Sequence, residues 1–105
     1  MELKIQRIER DIKNIVAKAY SREPIHIYRY GAYDIDPNYL MIWICVDTDK
    51  VKDKLSSDIK LTADIIQVFD THNYPQLQDI RSNFDFESEE TVDRESDGDW
   101  YLHFK

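Results

Sequence analysis

The chain is poor in the residues on which several common designs depend: among 105 residues there are two glycines, three prolines and one cysteine. With Cys45 alone, no intramolecular disulfide can form and a cysteine-rich zinc site is out of reach. Gly31 and Gly98 stand far apart, so no glycine-rich loop is available to cradle a phosphate, and no serine sits in a nucleophile elbow. Long apolar runs are missing too. The longest, Tyr39 to Val46, falls well short of the roughly 20 residues a membrane helix requires. The N-terminus, Met1-Glu2-Leu3-Lys4-Ile5-Gln6-Arg7, lacks the apolar stretch of a secretory signal, so a cytoplasmic protein is expected. Cations are the last shortage. Fourteen Lys and Arg stand against 21 Asp and Glu, for a net charge of −7, which opposes both nucleic acid and anionic membrane surfaces as partners.

What is present suits one packed domain spanning residues 1–105. Hydrophobic residues make up 42% and charged residues 33%, and the length is enough to bury a core without metal or disulfide help. The charge is unevenly spread. Residues 1–20 carry five basic and three acidic groups, residues 21–78 six and nine, and residues 79–105 three and nine. The two ends of the chain are therefore electrically opposite.

Ile5, Ile8, Ile12, Ile15, Val16 and Ala19 recur at helical spacing and predict an amphipathic helix over residues 2–20, ended by Ser21 to Pro24. Ile25 to Tyr33 reads as a strand, Asp34 to Asn38 as a turn in which Pro37 holds Asp36 extended, and Tyr39 to Val46 as a central strand. Asp47 or Thr48 can cap a long helix with Val51, Leu55, Ile59, Thr62, Ile66 and Phe69 on one stripe, broken or kinked at Ser56-Ser57-Asp58 and ending before Asn73-Tyr74-Pro75. Gln76 to Ser82 reads as a loop. Phe84-Asp85-Phe86-Glu87-Ser88-Glu89 then alternates apolar and acidic residues, the mark of a half-buried strand. With strands near 83–92 and 99–105, the order is α-β-β-α-β-β. The expected fold is α+β: a four-stranded, mainly antiparallel sheet with two helices on one face. A two-residue turn at Asp97-Gly98 would put carboxylates in the core, so a longer loop pairing Val92 with Trp100 and Ser88 with Phe104 is preferred.

Strand parity then sends Ile25, Ile27, Leu40, Ile42, Ile44 and Val46 under the helices together with Phe84, Phe86, Trp100, Leu102 and Phe104. The other face collects His26, Tyr28, Tyr30, Met41, Trp43, Cys45, Tyr101 and His103, with Asp85, Glu87 and Glu89 alongside. Two helices cover one face only, so this aromatic and acidic face is expected to be open, as an interface would be. The candidate partner-binding residues are Tyr28, Tyr30, Trp43, Asp85, Glu87, Glu89, Tyr101 and His103.

Catalytic and metal-binding constellations are weaker. Asp93 to Asp99 spaces oxygen ligands as a calcium loop does, with Gly98 at the sixth position. Glu95 stands at the third position, however, and Phe104 at the twelfth, where a bidentate glutamate is needed. A solvated acidic loop is the expectation. Cys45 would serve as a nucleophile if His26 or His103 activated it, but a cysteine in an apolar strand is ordinarily a small core residue. Asp34, Asp36, Asp47 and Asp49 read as turn and capping residues rather than a hydrolase's paired carboxylates. Exposed aromatics on a sheet suit single-stranded RNA, but here carboxylates interleave the rings where cations would be needed. No catalytic residue, cofactor or metal is assigned.

Glu89-Glu90-Thr91-Val92-Asp93-Arg94, followed by Gly98-Asp99-Trp100-Tyr101, resembles the ending of small uncharacterised bacterial proteins, a resemblance that covers about a tenth of the chain and implies no activity. In size, acidity and mixed topology the chain is also similar to bacterial toxin immunity proteins and secretion chaperones, which use acidic surfaces to hold a partner. The expected function is a small acidic, non-enzymatic protein-binding domain, an immunity or antitoxin-like inhibitor of a basic partner. The alternative is a homodimeric structural module or another domain without inhibitory activity, with a secretion-chaperone-like or enzymatic role ranked behind both.

Overall fold

A computed structural model of the protein describes residues 2–20, 23–75 and 79–104. Three strands, β1 (His26–Tyr30), β2 (Met41–Val46) and β3 (Phe84–Ser88), form a sheet in the order β1-β2-β3. β1 runs antiparallel to β2, while β3 runs parallel to it. Five α-helices accompany the strands among the described residues: α1 (Glu2–Ala19), α2 (Asp49–Ser57), α3 (Ile59–Thr71), α4 (Glu89–Ser96) and α5 (Trp100–His103). None is long and apolar enough to cross a membrane.

The α+β class stands, but the four-stranded, mainly antiparallel sheet does not. The crossover through α2 and α3 returns the chain so that β3 lies parallel to β2, as a helical connection between neighbouring strands does. The second half of the expected third strand is helix instead. Ser88 caps α4 by accepting a hydrogen bond from the Thr91 amide at 3.2 Å, with Glu89 and Glu90 in the first turn where the helix dipole favours acid. The expected fourth strand is also helical: Asp99 accepts from the Leu102 amide at 3.0 Å and starts α5. Between the two helices Asp97 and Gly98 adopt left-handed backbone (φ 51° and 79°), and the Gly98 amide reaches back to the Val92 carbonyl at 3.2 Å. The longer hairpin loop with its Val92–Trp100 and Ser88–Phe104 pairs is therefore absent.

The other expectations hold more closely. The amphipathic N-terminal helix is α1, which buries Ile5, Ile8, Ile12 and Val16. Asp36 is extended before Pro37 (φ −145°) and its carboxylate caps a short 3-10 helix, Pro37–Tyr39. Thr48 caps α2, and the helix breaks where Ser56-Ser57-Asp58 stand. There Asp58 ends α2 and caps α3, accepting from the Leu61 amide at 3.0 Å. The break resets the helical phase, so Leu61, Ile65, Val68 and Phe69 face inward, while Ile59, placed on the buried stripe by sequence, is 86% exposed. Of the expected loop at 76–82, residues 76–78 lie outside the described residues.

The core lies between the sheet and α1 and α3. Ile42, Ile44 and Val46 stand in register with Phe84, Phe86 and Ser88, and Ile44 also faces Ile27. Leu40, Ile42, Ile44, Phe84, Leu55 and Ile65 are sealed from solvent. Gly31, at φ 99°, follows β1 so closely against the returning chain that a Cβ there would lie 1.8 Å from the Tyr39 carbonyl oxygen.

Candidate functional site

The sheet's second face is built by register. Tyr28, Trp43 and Asp85 form one row across the three strands, and His26, Cys45 and Glu87 form the next. Tyr30 sits beside Met41 at the far end of the β1–β2 pair. The sequence parity for this face is therefore correct, but the face is not open. Residues 99–104 lie over it as a strap. The Phe104 ring stacks on Trp43 with centroids 4.5 Å apart and planes 15° from parallel, and meets Tyr30 edge-on at 5.4 Å. Trp100 lies over Tyr28 at 5.6 Å.

His103 closes the contact. Its Nε2 is 2.7 Å from Oε2 of Glu87, its Nδ1 is 3.1 Å from the Ser96 hydroxyl, and both His103 and Glu87 side chains are nearly buried. This is a correction to the strand reading, in which Tyr101 and His103 shared a face while Trp100, Leu102 and Phe104 turned inward to the aliphatic core. In a helical turn, positions i, i+3 and i+4 share a side, so Trp100, His103 and Phe104 meet the sheet. Tyr101 and Leu102 face out, 66% and 58% exposed. Spacing carried that signal: 100, 103 and 104 fit a helix as well as the alternation 100, 102 and 104 fits a strand.

Glu87 anchors a polar network where β3 meets α2 and α4. Its Oε1 takes the Lys52 ammonium at 3.2 Å and its own neighbour's amide, Ser88 N, at 2.9 Å. Burial works against its charge, but His103, the Ser88 amide and Lys52 outweigh that and hold the carboxyl below the usual glutamate range. Alongside, Asp49 accepts from the Ser88 hydroxyl (2.5 Å), the Thr91 hydroxyl (2.6 Å) and the Arg94 guanidinium (2.9 Å). These donors, Ser88 foremost, hold its carboxyl well below the usual aspartate range. By sequence Asp49 is a capping residue, and nothing there singles out Lys52; the only local signal for Ser88 and Thr91 is the Ser88-Glu89-Glu90-Thr91 capping pattern.

The remaining candidates divide. Asp85 lies beside Trp43 and takes Arg81 at 3.4 Å. Glu89 is exposed on the first turn of α4 and is not part of the sheet face. Cys45 does lie between His26 and Glu87, but burial, aided by the Glu87 charge, pushes its thiol up to about 12, so it stays protonated near neutrality. The segment from Asp93 to Asp99, expected to be a solvated acidic loop, is acidic and exposed but helical at its start: Asp93 and Glu95 belong to α4 and Asp99 caps α5. Among the described residues no group of three or more His, Cys, Asp or Glu is placed to hold a metal ion.

A cleft of about 610 Å³ opens elsewhere, beside the start of α2, lined by Tyr20, Glu23, Thr48, Lys50, Lys54 and Glu90 among others. Its helix-terminal donors are already used. The Glu23 carboxylate accepts from the Asp47 and Thr48 amides at 3.0 Å each, and Glu90 accepts from the Asp49 amide at 2.8 Å. An anionic ligand would have to displace two of the protein's own carboxylates.

Compared with known proteins, the chain matches no protein-family model, no curated protein and no solved structure.

Proposed function

We propose that the protein is a small acidic protein-binding domain that captures a basic partner, in the manner of an immunity or antitoxin-like inhibitor, and that it performs no catalysis. One observation carries this reading. α4 and the turn after it expose Glu89, Glu90, Asp93, Glu95, Asp97 and Asp99, and Arg94, the one cation in that stretch, is paired with Asp49. Exposed Leu102 and Tyr101 adjoin this acidic surface, supplying apolar contact beside the charge that steers a cationic partner. The strip disfavours nucleic acid and anionic membrane, and a lone protonated thiol suits a reducing cytoplasm.

The experiment uses exposed carboxylates, because Glu87 is committed to internal contacts. A partner recovered with the wild-type protein is tested for association rate at low and high salt, with wild type and Asp93→Lys/Glu95→Lys. The rate should fall steeply with salt and with charge reversal while the fold is retained. A partner that binds both proteins equally at both salts would refute the reading.

Self-association is the second reading, favoured by the outward Arg7, Arg10 and Lys13 of α1, which a second copy's acidic α4 would complement. A strictly monomeric protein in sedimentation at low salt would remove it.

A further inference from the structure

The strap makes a defined set of contacts with its sheet face. Three side chains of one helical turn meet that face: an aromatic ring at position 100, an imidazole at 103 and a second aromatic at 104. Each has a matched receptor. Phe104 sits between Trp43 and Tyr30, Trp100 lies over Tyr28, and His103 meets the nearly buried Oε2 of Glu87.

The element making these contacts is weakly built. α5 has four residues, too few for a helix to hold in water by itself, and it is joined to α4 through two left-handed residues, Asp97 and Gly98. Such an element belongs to the low-stability end of a structure, where local opening precedes global unfolding. Opening would leave Tyr30 and Trp43 uncovered and would strip Glu87 of its imidazole partner, with Asp85 beside Trp43 on the same face.

We propose that this face is a recognition groove for a helical turn of a partner protein carrying an aromatic residue, then a cation three positions on and a second aromatic at the fourth. Residues 99–104 occupy the groove in cis as a displaceable stand-in. The partner is cationic because Glu87 offers Oε2 to whatever occupies the middle position, and a guanidinium there brings a permanent charge where the strap brings an imidazole. The proposal rests on the protein-binding reading above and names its partner's contact segment. The strap competes as a tethered ligand at high effective concentration, so apparent affinity for a trans segment is reduced by the fraction of molecules in which the strap is open.

The test uses the full chain and a synthetic peptide, Gly-Asp-Trp-Tyr-Leu-Arg-Phe, the strap sequence with arginine at the imidazole position. Binding is followed by NMR shifts of the Trp43 and Tyr30 amides in wild type and Phe104→Ala. The variant should bind at least tenfold more tightly than wild type, and a peptide with alanine for its phenylalanine should not bind. In the wild type, hydrogen exchange should show the His103 and Phe104 amides opening far more readily than those of β2.

Exchange of those amides only through global unfolding would overturn the proposal even if Phe104→Ala fails to fold. So would a folded Phe104→Ala protein whose Trp43 ignores the peptide. Wild-type dimerisation abolished by Phe104→Ala would assign the trans segment to a second copy and overturn the partner named here. The salt and Asp93→Lys/Glu95→Lys experiment is independent: its success beside a failed peptide test leaves the acidic-partner reading standing and sinks only the groove.

Discussion

On one side of the sheet α1 and α3 bury Ile42, Ile44, Phe84 and Phe86 beneath two long helices of 18 and 13 residues. On the other side residues 99–104 cover Tyr28, Tyr30 and Trp43 with two rings and one imidazole. The first cover is aliphatic, continuous and sealed, and its strength comes from apolar area removed from water. The second leaves Tyr28 39% exposed and depends on ring stacking and a single histidine–glutamate contact. Two faces of one sheet therefore differ in how they are closed, and the proposed groove lies under the weaker closure.

Breaking the strong side should have the largest effect. Ile42→Ala removes a sealed side chain at the centre of the sheet and is expected to cost about 2–5 kcal/mol, read from denaturant midpoints; a midpoint that barely moves would mean the aliphatic face is not the main core. Phe104→Ala removes the principal stacking residue of the strap. It should cost less, about 1–2 kcal/mol, because its contacts are ring pairs on a half-exposed face. If the two variants lose equal stability, the contrast between the faces disappears.

Acid sharpens the comparison at Glu87. Glu2 and Asp11, which tie α1 to Arg29 and to the end of α3, are also held below their ordinary range, so the strap's share is read as the difference between wild type and a Glu87 variant. Glu87 and Asp49 are both held below their ordinary range in the folded protein, so the stability they contribute is fully present above the usual carboxylate range of about pH 4 and is lost as pH falls through their folded values. The melting-temperature gap between wild type and Glu87→Gln should be open at pH 6 and should narrow below about pH 4. A constant gap would mean that Glu87's charge does not hold the strap. The smallest effect belongs to the joint between α4 and α5. Asp97 is left-handed at φ 51°, so Asp97→Gly should stabilise by up to about 1 kcal/mol; a clear loss of stability would show that the aspartate side chain is needed at the joint.

The parts of the fold legible in the sequence are those whose signal is local. α1 declares itself in Ile5, Ile8, Ile12 and Val16, the break at Asp58 in Ser56-Ser57-Asp58, and the facing of β3 in its alternation of apolar and acidic residues. The strap is ambiguous in sequence because Trp100, Leu102 and Phe104 satisfy a strand's period as readily as Trp100, His103 and Phe104 satisfy a helix's, and six residues are too few for periodicity to choose between them. The α4 start was within reach, since Ser88 followed by Glu89, Glu90 and Thr91 is a capping pattern, but the preceding alternation of Phe84 to Glu89 masked it.

The candidate residues show the same division. Tyr28, Tyr30, Trp43 and Glu87 share a face because pleated strands alternate, and this follows from sequence alone once β1, β2 and β3 are recognised. That the face is covered, that His103 reaches Glu87 across 16 positions of chain, and that Lys52 joins them from α2 depend on how the elements pack. Composition and periodicity thus determined the acidity, the amphipathic helix and the facing of each strand residue. Strand direction, the helical turn at residues 100–103 and the closing of the aromatic face were decided only by tertiary structure, because hydrogen-bonding and stacking partners far apart in sequence leave no local period by which to be read.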